Sequence, residues 1–262
     1  MDMGLRGKVA LVTAASRGLG RAAAQELAAE GAEVVISSRS EEGLAAAAAA
    51  VREATGAEVA RIAANCTDLG DVQRLVSEST KRFGRIDILV NNSPGPPATP
   101  FEALTDDAWR EAVEYKLLAQ TRCAREVMPG MMERRWGRII NLVGTHGRQP
   151  HAYAITAGVM NAGLLNFTKA LAEAGAPANV LVNAVNPGPI ETERMVNLTR
   201  RKSEELNISE KEAKKILSEK ILLKRFGEVE EVAAAVAFLA SERAGFITGT
   251  MIDVDGGQTR CI

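Results

Sequence analysis

Cysteine is scarce in this 262-residue chain: Cys66, Cys123 and Cys261 are odd in number and far apart. That excludes a disulfide framework and a cysteine-rich metal cluster, and it reads as free thiols in a reducing compartment. No metal site is expected. An excess of charge is also missing. The formal net charge is −1, from 32 basic and 33 acidic residues interspersed along the chain, so it carries neither a nucleic-acid footprint nor a polybasic membrane patch. No apolar run approaches the ~18 residues that a bilayer span requires, and the first strand pattern begins within eight residues of the start. These absences predict a cytoplasmic protein without nucleic-acid or membrane partners.

What the chain has instead is core-forming material, 46% hydrophobic residues, arranged as alternating strand and helix patterns. The most informative stretch runs from Lys8 to Gly31. Val9 to Val12 is a short apolar run with β-branched residues, suited to a buried parallel strand. A turn with Ser16, Gly18 and Gly20 follows, then an Ala/Leu-rich helix closed by Gly31. The glycines let backbone approach a ligand, and free N–H groups at the helix start attract phosphate. Strand, glycine turn and helix together make an anion seat.

The same alternation predicts further strands at 33–38, 59–64, 86–90, 137–143, 180–185 and 251–254. Helices are predicted from Glu41 with Ser40 as N-cap, at 71–83, from Thr105 through the Leu117 region, at 155–174 and at 229–239. The run Ala45 to Ala50 reads as a tightly packed helix. Pro94, Pro96, Pro97 and Pro100 mark a loop before Thr105. Residues 191–225 break the rhythm: they are charged and helical, with a capping box at Ser209–Glu212 and an apolar face of Ala213, Ile216, Leu217 and Ile221. No repeat or linker appears. The prediction is one α/β domain spanning 1–262, a doubly wound parallel sheet of about seven strands with a helical insertion at 191–225.

With these motifs the chain resembles the short-chain dehydrogenase/reductase family along essentially its whole length. The run Thr13 to Gly20 (T-A-A-S-R-G-L-G) is similar to the family's glycine motif, with Ala14 where the first glycine usually stands. Asn91-Asn92-Ser93-Pro94 is similar to its N-N-A-G, and the run Asn186 to Thr192 to its P-G-x-x-x-T. The ending through Asp255-Gly256-Gly257 resembles the family as well. The resemblance implies a Rossmann-fold oxidoreductase with a nicotinamide dinucleotide across the carboxyl ends of the strands and a substrate lid at 191–225. It also implies a homodimer or homotetramer, packed through helices around Leu117 and Leu164 and through the C-terminus. It places the cofactor against Ala15, Ser16, Arg17, Gly18, Leu19, Gly20, Ser38, Arg39, Asn65, Cys66, Asn92, Ser93, Pro187, Gly188 and Thr192.

An acid at the end of the second strand would bind a ribose 2′-hydroxyl and repel a 2′-phosphate. Here that position offers Ser38 and Arg39, with Arg17 on the glycine turn. Two guanidinium groups favour NADP(H) over NAD(H). Asn65 stands where the family often has an aspartate for the adenine amino group, and an amide oxygen accepts the same hydrogen bond.

The usual family active site is an Asn, a Ser, a Tyr and a Lys. Setting the register on Ala162 to Ala172 puts Gly144 at the serine, Ala157 at the tyrosine and Asn161 at the lysine, while Lys116 falls at the asparagine. Losing a positioned general acid typically costs ~10²–10⁴-fold. Lys116 and Tyr153 are the candidate substitutes, and His146 and His151 lie in the loop after the fifth strand, where ligands sit. In the insertion, Met195, Leu198, Leu206, Ile208 and Ile216 are candidates to cover a hydrophobic substrate. Arg200, Arg201 and Lys202 are candidates to meet the acidic carrier of an acyl thioester. Two functions remain open. One is hydride transfer to or from a small or acyl-type carbonyl or enoyl substrate by an altered catalytic set. The other is a non-catalytic NADPH-binding sensor or structural subunit.

Overall fold

In the computed structural model, which describes residues 2–261, the short apolar runs become strands. They are β1 (Val9–Val12), β2 (Glu33–Ser38), β3 (Val59–Ala63), β4 (Ile88–Asn91), β5 (Gly137–Leu142), β6 (Val180–Pro187) and β7 (Met251–Val254). The periodic stretches become α1 (Gly18–Ala29), α2 (Glu41–Thr55), α3 (Leu69–Phe83), α4 (Asp106–Ala112), α5 (Ala119–Glu133), α6 (Ile155–Gly175), α7 (Glu193–Leu206), α8 (Glu210–Ser218) and α9 (Val229–Ala240). Among the described residues the strands form one parallel sheet in the order β3-β2-β1-β4-β5-β6-β7. Alternation along each strand sends Val12, Ile36, Val90 and Ile140 into a core shared with α1, α2 and α9. Leu11, Val35, Leu89 and Ile139 go to the opposite face, against α3 and α5. Both faces are covered, which is why the strands read as near-continuous apolar runs.

Caps set most helix starts. The hydroxyls of Ser40 and Thr105 accept from the N–H groups of Gly43 and Ala108, and Ser209 and Glu212 form a reciprocal capping box. α3 begins at Leu69, earlier than expected, because Asp68 caps it and accepts from Asp71 N–H. α1 ends at a Glu30 cap, and Gly31 follows at φ +88°. The larger correction concerns the helix from Thr105. It does not stop near Leu117 but passes through a π-helical stretch, Val113–Leu118, into α5 and runs on to Glu133 despite Pro129. Ala119, Cys123, Val127 and Met131, each four residues apart, are buried there. Leu164 is fully buried with Val143, Leu165 and Ala184. Among the described residues, no helix is long and apolar enough to cross a membrane.

Ala14 adopts φ +47° in the turn after β1, a conformation that costs an L-residue with a Cβ roughly 1–2 kcal/mol. Gly20 is the reverse case: a Cβ there would lie 2.6 Å from Ala14 O and 2.8 Å from Asn92 Nδ2. Ala14→Gly is expected to raise unfolding free energy by about 1 kcal/mol, and Gly20→Ala to lower it, both read by urea denaturation.

Candidate active site

The sheet order reverses beside β1 and β4, and a crevice opens at their carboxyl ends. Hydrogen bonds weld its floor. Thr13 Oγ1 donates to Asn92 O at 2.8 Å and accepts from Asn92 N–H at 2.9 Å, while Asn92 Nδ2 donates to Ala14 O at 3.1 Å. Ala15 N–H donates to Ser37 O, and Leu19 packs on the core beneath. Ser16 lies beside Gly43 at the start of α2. Gly18, at φ +55°, opens α1, and a Cβ on it would lie 3.8 Å from Thr192 Cγ2, so the insertion begins directly over the glycine turn. Thr192 leaves its hydroxyl unused by the cap of α7. Pro187 ends β6, and Gly188 abuts Asp255 so closely that a Cβ would fall 2.6 Å from its Cβ. The free helix start and the glycine-lined wall fit a dinucleotide pyrophosphate.

Ser38 Oγ donates to Ser40 O at 3.3 Å, and Arg39 has no acidic partner among the described residues. Arg17, by contrast, forms an ion pair with Glu193 on α7, so it reaches toward the insertion. Asn65 Oδ1 already accepts from Thr67 N–H at 3.2 Å, and its own N–H donates to Asp71 Oδ2 at 2.8 Å. One lone pair of the amide oxygen is left for a ligand. Cys66 packs with Cys123 in the core under this edge.

Lys116 lies in the π-helical stretch and is only 3% exposed. Such stretches recur at functional sites because the widened turn re-aims side chains. Its Nζ donates to Leu142 O and Val143 O, each at 3.2 Å, at the end of β5. Glu114 does not pair with it, being bound to Arg122 at 2.8 Å. Burial, reinforced by the charge of Arg194, draws the Lys116 ammonium down to about 8. Gln120 Nε2 bridges Ser93 Oγ at 3.0 Å and Leu142 O at 3.2 Å.

Around the same strand end, Gly144 takes φ +133° and Ala157 is buried. Asn161 Nδ2 donates to Gly144 O at 3.4 Å, while its Oδ1 is buried without a partner. His146 is half-buried, and burial holds its imidazole below the usual range, with the charges of His151 and Arg194 acting the same way. His151 lies 6.0 Å, ring centre to ring centre, from both His146 and Tyr153. Tyr153 is 60% exposed. Lys169 donates to Gly249 O, a structural bond.

One residue escaped the sequence reading. Arg194, at the start of α7, reaches back over the proline loop, with Nη2 3.5 Å from Pro96 O and Nη1 2.7 Å from where a Gly95 Cβ would lie. Its charge acts on Lys116, Tyr115 and His146 together. The only signal was its place two residues after Thr192. The basic residues singled out instead are partly spent: Arg200 pairs with Glu210 and Lys202 with Glu205. Leu198, Leu206 and Ile216 remain 42–44% exposed.

A family model described as enoyl-(acyl carrier protein) reductase matches residues 13–259. The chain belongs to the short-chain dehydrogenase/reductase family. Among its relatives in that family, the 3-oxoacyl-[acyl-carrier-protein] reductase FabG of Salmonella typhimurium is 36% identical over 256 residues, covering 98% of this chain and 99% of that protein. The NADPH-dependent reductase BacG of Bacillus subtilis is 32% identical, covering 97% and 99%. The crystal structure of L-sorbose reductase from Gluconobacter frateurii, complexed with NADPH and L-sorbose, superposes with a TM-score of 0.95 at 33% identity, covering all of both chains.

A lysine whose ammonium is disfavoured by folding destabilises the native state wherever it is charged. The charge penalty at pH 7 is roughly 3 kcal/mol at ~1.36 kcal/mol per pKa unit; Lys116→Met removes it but leaves Leu142 O and Val143 O without that donor, which costs about 1–3 kcal/mol. The wild type is expected to gain stability relative to Lys116→Met from about pH 8 upward as the native ammonium deprotonates first, and the gain is complete toward pH 10.5. Denaturation across pH 6.5–10.5 checks both the sign and the window.

Proposed function

We propose that this protein is an NADP(H)-dependent oxidoreductase acting on an acyl-type carbonyl or conjugated enoyl substrate, with Lys116 carrying the proton. The observation behind it is an ammonium buried at the carboxyl end of β5 with two carbonyl partners and no carboxylate. FabG and BacG, as named reductases, support the reaction class, and BacG and L-sorbose reductase support the cofactor. The residues assigned to the dinucleotide are those on the glycine turn, the β2 end with Arg39, and the Asn92, Gly188 and Thr192 walls.

NADPH held by these residues would supply the hydride. As the electron pair collects on the substrate oxygen, Lys116 gives up its third N–H proton, and its two remaining N–H groups still donate to Leu142 O and Val143 O. Solvent then restores the ammonium. Gly144, Ala157 and Asn161 occupy the family's serine, tyrosine and lysine positions in this proposal. In support, the Asn161 amide fills the space a side chain at 144 would need, since a Cβ there would lie 2.9 Å from Asn161 Nδ2. Tyr153 is the second candidate donor. A reducing, cytoplasmic setting for three free thiols belongs to the same proposal, as does a homo-oligomer that covers the fully exposed Phe246.

Thermal unfolding with excess NADPH or NADH tests the cofactor. At 100 times Kd a ligand adds ~2.7 kcal/mol, a shift of about 5–10 °C for a chain of this size. NADPH is expected to give that shift and NADH little; no shift with either overturns the cofactor assignment. A shift without turnover of any 3-oxoacyl or enoyl compound would favour the non-catalytic alternative.

The proton donor has its own test. Besides burial, the charge that acts on Lys116 is that of Arg194 from α7, which acts on His146 of the β5–α6 loop and on Tyr115 as well. The ammonium is the competent form for reduction, so reductive kcat/KM, which reports the free enzyme, is expected to hold below about pH 8 and fall above it. Lys116→Met is expected to lose ~10²–10⁴-fold and the pH break with it. Turnover indifferent to the substitution removes Lys116 from the mechanism.

A further inference from the structure

The reacting end of the crevice holds more positive charge than the protein neutralises. Lys116 is buried on two carbonyl oxygens, and among the described residues the only hydrogen bond of the Arg194 guanidinium is to Pro96 O at 3.5 Å. His146 feels the charge of Arg194. The acids nearby are engaged elsewhere: Glu114 with Arg122, Glu191 with Lys214, Glu193 with Arg17 and Asp253 with Arg148. Glu111 acts on Tyr115 and forms no ion pair among the described residues. Of the two cations Lys116 is buried and Arg194 exposed; burying a cation without a counter-ion is costly, and an anionic ligand removes much of that cost.

We infer that Arg194 and Lys116 together bind a carboxylate-bearing substrate, a small oxo acid or unsaturated acid whose reacting group is close to its carboxylate. The inference rests on the oxidoreductase assignment above and narrows its substrate class from acyl compounds in general to free acids. The planar guanidinium of Arg194 matches a carboxylate with two parallel hydrogen bonds, and its long contact to Pro96 O is easily exchanged for them. Lys116, deeper in the site, then faces the adjacent carbonyl oxygen. A thioester puts no formal charge at this point, so it leaves the buried Lys116 uncompensated. Within the start of α7 it is Glu193 that turns to the glycine turn, pairing with Arg17, whereas Arg194 reaches over the proline loop to Pro96 O.

Calorimetric titration of the protein saturated with NADP⁺, in which ketone ligands are not turned over, tests this. The probes are acetoacetate and 2-oxobutyrate, their methyl esters, and acetoacetyl-N-acetylcysteamine. At least one free acid is expected to bind tenfold or more tightly than its ester and than the thioester. Arg194→Ala, an exposed position on α7 whose loss leaves the core intact, is expected to weaken that acid at least tenfold with NADP⁺ affinity unchanged, and Arg194→Lys to keep part of the binding. Equal or better binding of the neutral esters or the thioester overturns the inference, as does failure of both acids to bind. A loss of NADP⁺ affinity in Arg194→Ala assigns the arginine to the cofactor and also overturns it. NADP⁺ binding by the wild type is measured first, because its absence defeats the oxidoreductase assignment itself.

Discussion

The placement of every functional group follows from one constraint: β1 and β4 lie side by side and parallel, with their crossovers leaving to opposite sides of the sheet. A parallel pair cannot be closed by a tight turn, so helices must return the chain, and the gap between the two directions opens at the carboxyl ends. The Thr13–Asn92–Ala14 hydrogen bonds fix that gap by joining the turn after β1 to the end of β4. They also hold Ala14 in the left-handed conformation a glycine would adopt freely. The strain stored there is small, and three bonds over-determine it.

The second constraint is electrostatic. A buried lysine is tolerated only if its N–H groups find acceptors, and the last carbonyls of β5 provide them because the strand ends there, leaving their oxygens outside the ladder. The π-helical stretch is what lets a residue on the α4–α5 run reach those carbonyls. Residual desolvation is then expressed as a depressed proton affinity rather than as a broken fold. Arg194 adds to the effect from the insertion, so cap and floor of the site act on the same proton.

The strands, their parallel order and the glycine turn were legible because each rests on local chemistry: β-branched runs, caps and small residues. The helix through Val113–Leu118 was not, since Pro129 and the charged residues Arg122, Arg125 and Glu126 obscure an apolar repeat that only packing against β4 and β5 makes decisive. Lys116 could be singled out from spacing, but its burial could not, because lysine on a helix is usually solvated. Arg194 was invisible for another reason. Its partners, Pro96 and the Lys116 site, are far away in sequence and meet it only when the insertion folds back over the proline loop. The neighbouring Arg200 and Lys202 read alike in sequence yet are neutralised within the insertion.

The chemistry of the proposed exchange is simpler than the set it replaces. A phenol titrates near 10 and needs a nearby ammonium to become a useful acid at neutral pH. An ammonium already lowered to about 8 by burial lies close to the optimum for a general acid in the same range. In the proposed mechanism one buried lysine would carry both the proton and the charge, so that no proton would be left for a side chain at 144 or 157 to manage. Its weakness is that a lone ammonium is stabilised by nothing of opposite sign. A substrate that brings a carboxylate supplies that missing charge, raises the proton affinity of Lys116 on binding and keeps the acid protonated until the reacting oxygen needs it.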